Sequence, residues 1–337
     1  MGRRRDLLLV VVGVVMVLGV GVGLVWVFFL PEGKRGQVLA VGTLAVAVVS
    51  GLVRAVVWLW RTRRPTDPRP VDTLADLLAK AVHEQWRKEA AGRMLLTPEP
   101  IPVGWSLSKL PVAGEVEAAV GSADVAPRFP PLPGQSRVTK EQLEAGGGRR
   151  ELFAVYAGIA SGRVVVVGAP GAGKTGSAVL LVLDALEHRE GVDDTKRVRV
   201  PVPVLLTVYG WDPATCPVQD WLVDRLVASY PLLFQHRGGQ VEAGALVAAG
   251  AVALVLDGLD EMDVTRRPAA LRALSYAPFR VVVLTRTREM VEAAAYLVGA
   301  VAVELHDVTG SQAADYLNRA RTGPPPSGWT QLLTHLR

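Results

Sequence analysis

Apolar positions along the 337 residues follow three successive patterns. At the start they are unbroken. Leu7 to Leu30 carries no charge, and Val38 to Trp60 carries only Arg54, within two turns of its end. As a helix rising about 1.5 Å per residue, the first run reaches about 36 Å, enough to cross a hydrocarbon core of about 30 Å with tilt. Pro31-Glu32-Gly33-Lys34-Arg35-Gly36 between them reads as a tight polar turn. The second pattern is helical: Leu74, Leu77, Leu78, Val82 and Trp86 predict an amphipathic helix over Thr73 to Arg93. Thr97 to Gly134 is Pro-rich without periodicity and reads as an extended, partly disordered connector. Glu151 to Ala160 then reads as a short helix.

From Arg163 the third pattern begins, short β-branched runs alternating with helical stretches. Arg163 to Val167, Val200 to Tyr209, Ala251 to Leu256, Arg280 to Thr285 and Val301 to Leu305 are the expected strands. Ser177 to Leu186, Val218 to Tyr230 and Ser311 to Arg319 are the expected helices. Such alternation predicts an α/β fold in three layers, a parallel sheet covered on both faces with right-handed crossovers.

Charge refines the first pattern. The net charge is +5. Arg3, Arg4 and Arg5 precede the first apolar run, and Arg61, Arg63 and Arg64 follow the second. Those six exceed the whole net excess and flank the spans as the positive-inside rule requires, so nucleic acid is not the expected partner. Trp26, Phe28 and Phe29 at one end, and Trp58 and Trp60 at the other, suit interfacial anchors. The expectation is a two-span hairpin embedded through residues 7–60 of the plasma membrane, both ends cytoplasmic. A cleaved signal peptide would need a shorter apolar run. Cys216 is the sole cysteine, which excludes an internal disulfide, and the five histidines lie too far apart in sequence for metal-ligand spacing.

The chemistry concentrates in the third pattern. The first β-branched run leads into Gly168-Ala169-Pro170-Gly171-Ala172-Gly173-Lys174-Thr175-Gly176, which contains G-x-x-x-x-G-K-T. Glycines let such a loop wrap closely enough for backbone N–H groups to face phosphate oxygens, and the following helix points its positive end at the same anion. In this pattern Lys174 reaches the outer phosphates and the Thr175 hydroxyl ligates Mg²⁺. Ala251 to Leu256 ends at Asp257, followed by Gly258-Leu259-Asp260-Glu261. A carboxylate at the end of a parallel strand is where a Walker B acid sits, so Asp257 is the second candidate for Mg²⁺. Asp260 and Glu261 are candidates to orient or deprotonate water. Arg280 to Thr285 ends in Arg286, with Arg288 two residues on. Either arginine can report a γ-phosphate, Arg286 being the first choice.

Together these motifs resemble the NACHT family of signal-transduction NTPases, in the STAND branch of AAA+-like ATPases. The most specific stretch is Leu254-Val255-Leu256-Asp257-Gly258-Leu259-Asp260-Glu261, and the resemblance covers about Arg149 to Arg319. It implies a switch that rests with ADP, opens with ATP, resets by slow hydrolysis and often assembles into oligomers, in bacterial defence or signalling. It also implies a protein effector. The chain departs from the family in having Arg286 directly after Thr285, where Thr-Ser-Arg is usual. Residues 321–337 resemble the start of the helical segment that leads into a lid, a winged helix and a repeat sensor. The expected organisation is a hairpin over 1–64, a linker over 65–148, the NTPase domain over 149–320 and that helical start over 321–337. The expected function is a membrane-anchored ATP/ADP-binding switch with Mg²⁺. The alternative is a non-hydrolysing ATP-dependent scaffold.

Overall fold

The computed structural model describes residues 68–122, 124–286 and 296–337, which belong to one compact unit, Asp67–Arg337. The expected hairpin and Arg288 lie outside the described residues, and among those described no helix is long and apolar enough to cross a membrane.

The unit is a mixed α/β fold around a six-stranded sheet, compatible with three layers. In chain order its main elements are α1 (Val71–Gly92), β1 (Trp105–Leu107), α2 (Arg149–Gly158), β2 (Arg163–Val167), α3 (Lys174–Gly191), β3 (Val202–Thr207), α4 (Val218–Ser229) and α5 (Gly239–Ala248). They continue with β4 (Val252–Asp257), α6 (Arg267–Tyr276), β5 (Val281–Thr285), β6 (Val301–Leu305), α7 (Gly310–Ala320) and α8 (Trp329–Leu336). The sheet order is β1-β6-β2-β5-β4-β3. All neighbours are parallel except the edge pair β1 and β6. Val164 to Val167, Val252 to Leu256 and Val281 to Thr285 are buried throughout, as strands covered on both faces must be.

Two parts of the sequence reading change. The helix over 71–92 buries Leu74, Leu78 and Val82 as one stripe, but Leu77 falls outside that stripe and stays exposed, while Trp86 is half-buried. The helix packs against α3, α5 and β3. Thr97 to Gly134, expected to be extended and partly disordered, supplies strand β1 and buries Trp105, Val112, Ala119 and Leu132. Its apolar residues are too sparse to show a period, yet these four lie in the core while Leu110 and Val125 stay exposed.

The end of that stretch is tied to the base of the sheet, where β2 and β5 begin. Arg163, fully buried, donates to the carbonyls of Gly162, Phe279 and Ala277. Arg280 donates to Tyr156 and Pro130, and Arg128 to Ser275 and Ala277. The Phe129 ring lies 5.2–5.6 Å from all three guanidiniums. Burial, with the two neighbouring arginines, pushes the Arg163 pKa down to about 9, still charged at neutral pH. Carbonyl dipoles and a π face thus substitute for carboxylates at this end.

A second tie holds the first described residues. Arg69 donates from its backbone N and from Nε and Nη2 to the buried Glu242 carboxylate of α5, with Nη2 to Oε2 at 2.6 Å. The Arg69 hydrogen bonds outweigh desolvation and hold Glu242 at about pKa 2, against an ordinary 4.5. A depressed carboxylate stabilises the fold fully above its unfolded pKa, and that contribution fades as pH falls from about 4.5 toward 2. Arg69→Ala should cost about 2 kcal/mol at pH 7 and flatten the loss of stability between pH 4.5 and 3 in urea titrations. An unchanged pH slope would exclude this pair as its source.

Candidate functional site

The parallel register brings three strand ends within one residue of one another. Val167 of β2 pairs with Thr285 of β5, Leu256 of β4 pairs with Val283, and Asp257 pairs with Thr207 of β3. The loop Gly168–Gly173, residue Arg286 and the turn Gly258–Glu261 therefore leave the same edge of the sheet. Strand β5 stands between β2 and β4.

Gly173 caps α3 in the left-handed conformation, φ 85°, which turns the chain from loop into helix so that Lys174 and Thr175 occupy its first turn. Lys174 Nζ folds over the loop and donates to the Gly168 and Ala169 carbonyls at 2.8 and 2.9 Å. Thr175 Oγ1 donates to Asp257 Oδ2 at 2.8 Å, across the end of β5 and 82 residues of sequence. Gly258, φ 80°, then turns the chain into a short 3-10 turn, Leu259–Glu261. A side chain at Gly258 would lie about 3.2 Å from the Glu261 carboxyl carbon, so the glycine also gives Glu261 room.

The two acids of that turn have different surroundings. Asp260 Oδ2 accepts from Arg286 Nε at 2.8 Å. Arg267 at the start of α6, itself buried, donates to the backbone carbonyls of Asp260 and Met262 at 2.8 and 2.9 Å. Glu261 is exposed and lines a smaller cavity with Tyr209, Trp211 and Arg266. All the sequence-predicted candidates among the described residues thus converge on one edge of the sheet.

The sequence did not disclose a cavity of about 610 Å³ beside the loop, within the range of small-molecule pockets. Leu95, Ile101 and Val103 form one wall, Leu180 of α3 another, and Val308 with Tyr316 of α7 a third. Gln312 Nε2 donates to the Pro102 carbonyl at 2.9 Å and ties the walls together. The signal available was the isolated apolar residues of the Pro-rich stretch, which carry no period. The donor set suits a hydrated divalent cation. A threonine hydroxyl and a carboxylate are hard oxygen donors, and two protein ligands are what Mg²⁺ takes when phosphate and water complete its shell.

Fold and site define a mixed α/β protein with a G-x-x-x-x-G-K-T loop and a partnered acidic turn at the carboxyl edge of a mostly parallel sheet. Compared with protein-family models, with curated proteins and with solved structures, the chain matches none.

The loop geometry makes a contrast testable within one helix. Gly173→Ala forces a Cβ into the left-handed region and should destabilise the chain by about 1 kcal/mol. Gly191→Ala, at the far end of α3 with open space around it, should be neutral or slightly stabilising. Chemical denaturation of the two variants measures the difference, and equal effects would contradict the turn assigned to Gly173.

Proposed function

We propose that the chain is a membrane-anchored P-loop NTPase of the NACHT-like kind, which binds ATP or ADP with Mg²⁺ and uses the nucleotide as a signalling switch. The observation that carries the reading is the Thr175–Asp257 hydrogen bond, which joins the two motifs at the position a magnesium ion needs. In this reading the loop N–H groups and Lys174 hold the phosphates, and the apolar cavity beside Gly173 and Gly176 takes the nucleoside. Bound Mg²⁺ would rest on Thr175 and Asp257 and neutralise phosphate charge. Arg286 leaves β5 between the P-loop strand and the Walker B strand, a place from which a guanidinium reads the terminal phosphate. Asp260 already engages Arg286, which leaves Glu261 to activate water. The membrane anchor rests on the apolar runs of residues 7–60, and homo-oligomers and an effector protein on the family resemblance.

The second reading, an ATP-dependent scaffold without turnover, draws on the exposure of Glu261. Lys174→Ala should lower ATP affinity by about a hundredfold, since it deletes a fixed cation at the phosphates. Calorimetric titration with unaltered affinity would refute the nucleotide reading. Glu261→Gln should abolish phosphate release and retain ATP binding. A wild-type chain that binds ATP tightly and releases no phosphate would establish the scaffold instead.

A further inference from the structure

The acidic turn after β4 holds two neighbouring carboxylates with unlike constraints. Asp260 is fixed twice. Its backbone carbonyl accepts from Arg267, and its side chain, only 11% exposed, accepts from Arg286 at 2.8 Å. An aspartate held at both its backbone and its side chain is poorly placed to follow the proton of an attacking water and well placed to hold a guanidinium. Arg286 is half exposed and follows directly on Thr285, the residue paired with Val167. It therefore leaves the sheet level with Gly168, where the phosphate loop opens.

We propose that Asp260 is a positioning residue: it holds Arg286 and competes for it with the terminal phosphate of a bound nucleoside triphosphate. The inference rests on the nucleotide reading above. ATP can draw the guanidinium off Asp260 or share it, whereas ADP has no group in that position. A ligand shifts a two-state element only through differential contacts, and the Asp260–Arg286 pair supplies one. The strength of this pair then sets the ratio of ATP to ADP affinity, so the acid opposes triphosphate binding while keeping the arginine at the site.

The test is a double-mutant cycle on the full chain, with Mg·ATPγS and Mg·ADP as probes and calorimetry as readout. Asp260→Asn should raise the ATPγS-to-ADP affinity ratio about fivefold, the worth of a partly exposed ion pair. Arg286→Ala should bring the ratio near one. In the Arg286→Ala background, Asp260→Asn should leave the ratio unchanged. Asp260→Ser serves the same comparison if the asparagine variant fails to fold. A ratio unmoved by loss of the Asp260 carboxylate overturns the proposal. So does an equal rise in the Arg286→Ala background, because removal of a negative charge would then act through its field alone. A wild-type chain that binds neither probe overturns the nucleotide reading and this inference with it. Binding with an unmoved ratio overturns this inference alone.

Discussion

The hydrogen bond from Thr175 to Asp257 is the constraint on which the geometry of the edge depends. Thr175 follows the loop after β2 and Asp257 ends β4, strands that are not neighbours because β5 runs between them. For the bond to close, the three strands must end close together, and their register brings their ends within one residue of one another: Val167 is opposite Thr285, and Leu256 is opposite Val283. A one-residue slip of β4 would turn Asp257 to the other face of the sheet. The same register fixes Arg286 one residue beyond the last rung, so the positive group and both motifs are placed by a single requirement.

The opposite end of the sheet solves a different problem. There β2 and β5 begin next to the carboxyl end of α6, whose last carbonyls lack helical partners. Arg128 and Arg163 donate to those carbonyls, and Phe129 lies over the guanidiniums. The Pro-rich stretch is thus held at its far end by arginines, while its near end walls the cavity with Ile101 and Val103. A segment that forms only three residues of strand links the base of the sheet to its carboxyl edge.

What the sequence made legible was whatever has a period or a fixed spacing. The β-branched runs located β2, β5 and β6 to within a residue because strands buried on both faces need an unbroken apolar run. The loop and the acidic turn were legible because glycines and charges stand at offsets that backbone geometry dictates. The amphipathic stripe of α1 was legible too, except at Leu77, where an apolar residue lies off the buried face. Helices α5 and α6 escaped notice. The first is apolar nearly all round, with Gly239 and Gly244 inside it, so no stripe stands out, and the second begins Arg267-Pro268. The arginine–carbonyl clamp has no sequence signal at all, because its acceptors are backbone atoms whose positions exist only in the fold.

The Thr285-Arg286 junction gains a physical reason from this arrangement. Thr285 is buried as the last rung of β5, so the next residue is the first able to leave the sheet. Arg286 is about half exposed there, and its guanidinium finds an anion in the Asp260 carboxylate at 2.8 Å. Asp260 is presented to it where Gly258 turns the chain back with a positive φ and Arg267 donates to the Asp260 carbonyl. The Asp-Gly-apolar-Asp-Glu spacing therefore serves two ends. Its first acid faces the threonine of the loop, and its second accepts the arginine of the strand between them. Glu261, the third, lies outside both pairs on the exposed side of the turn, where solvent water reaches it.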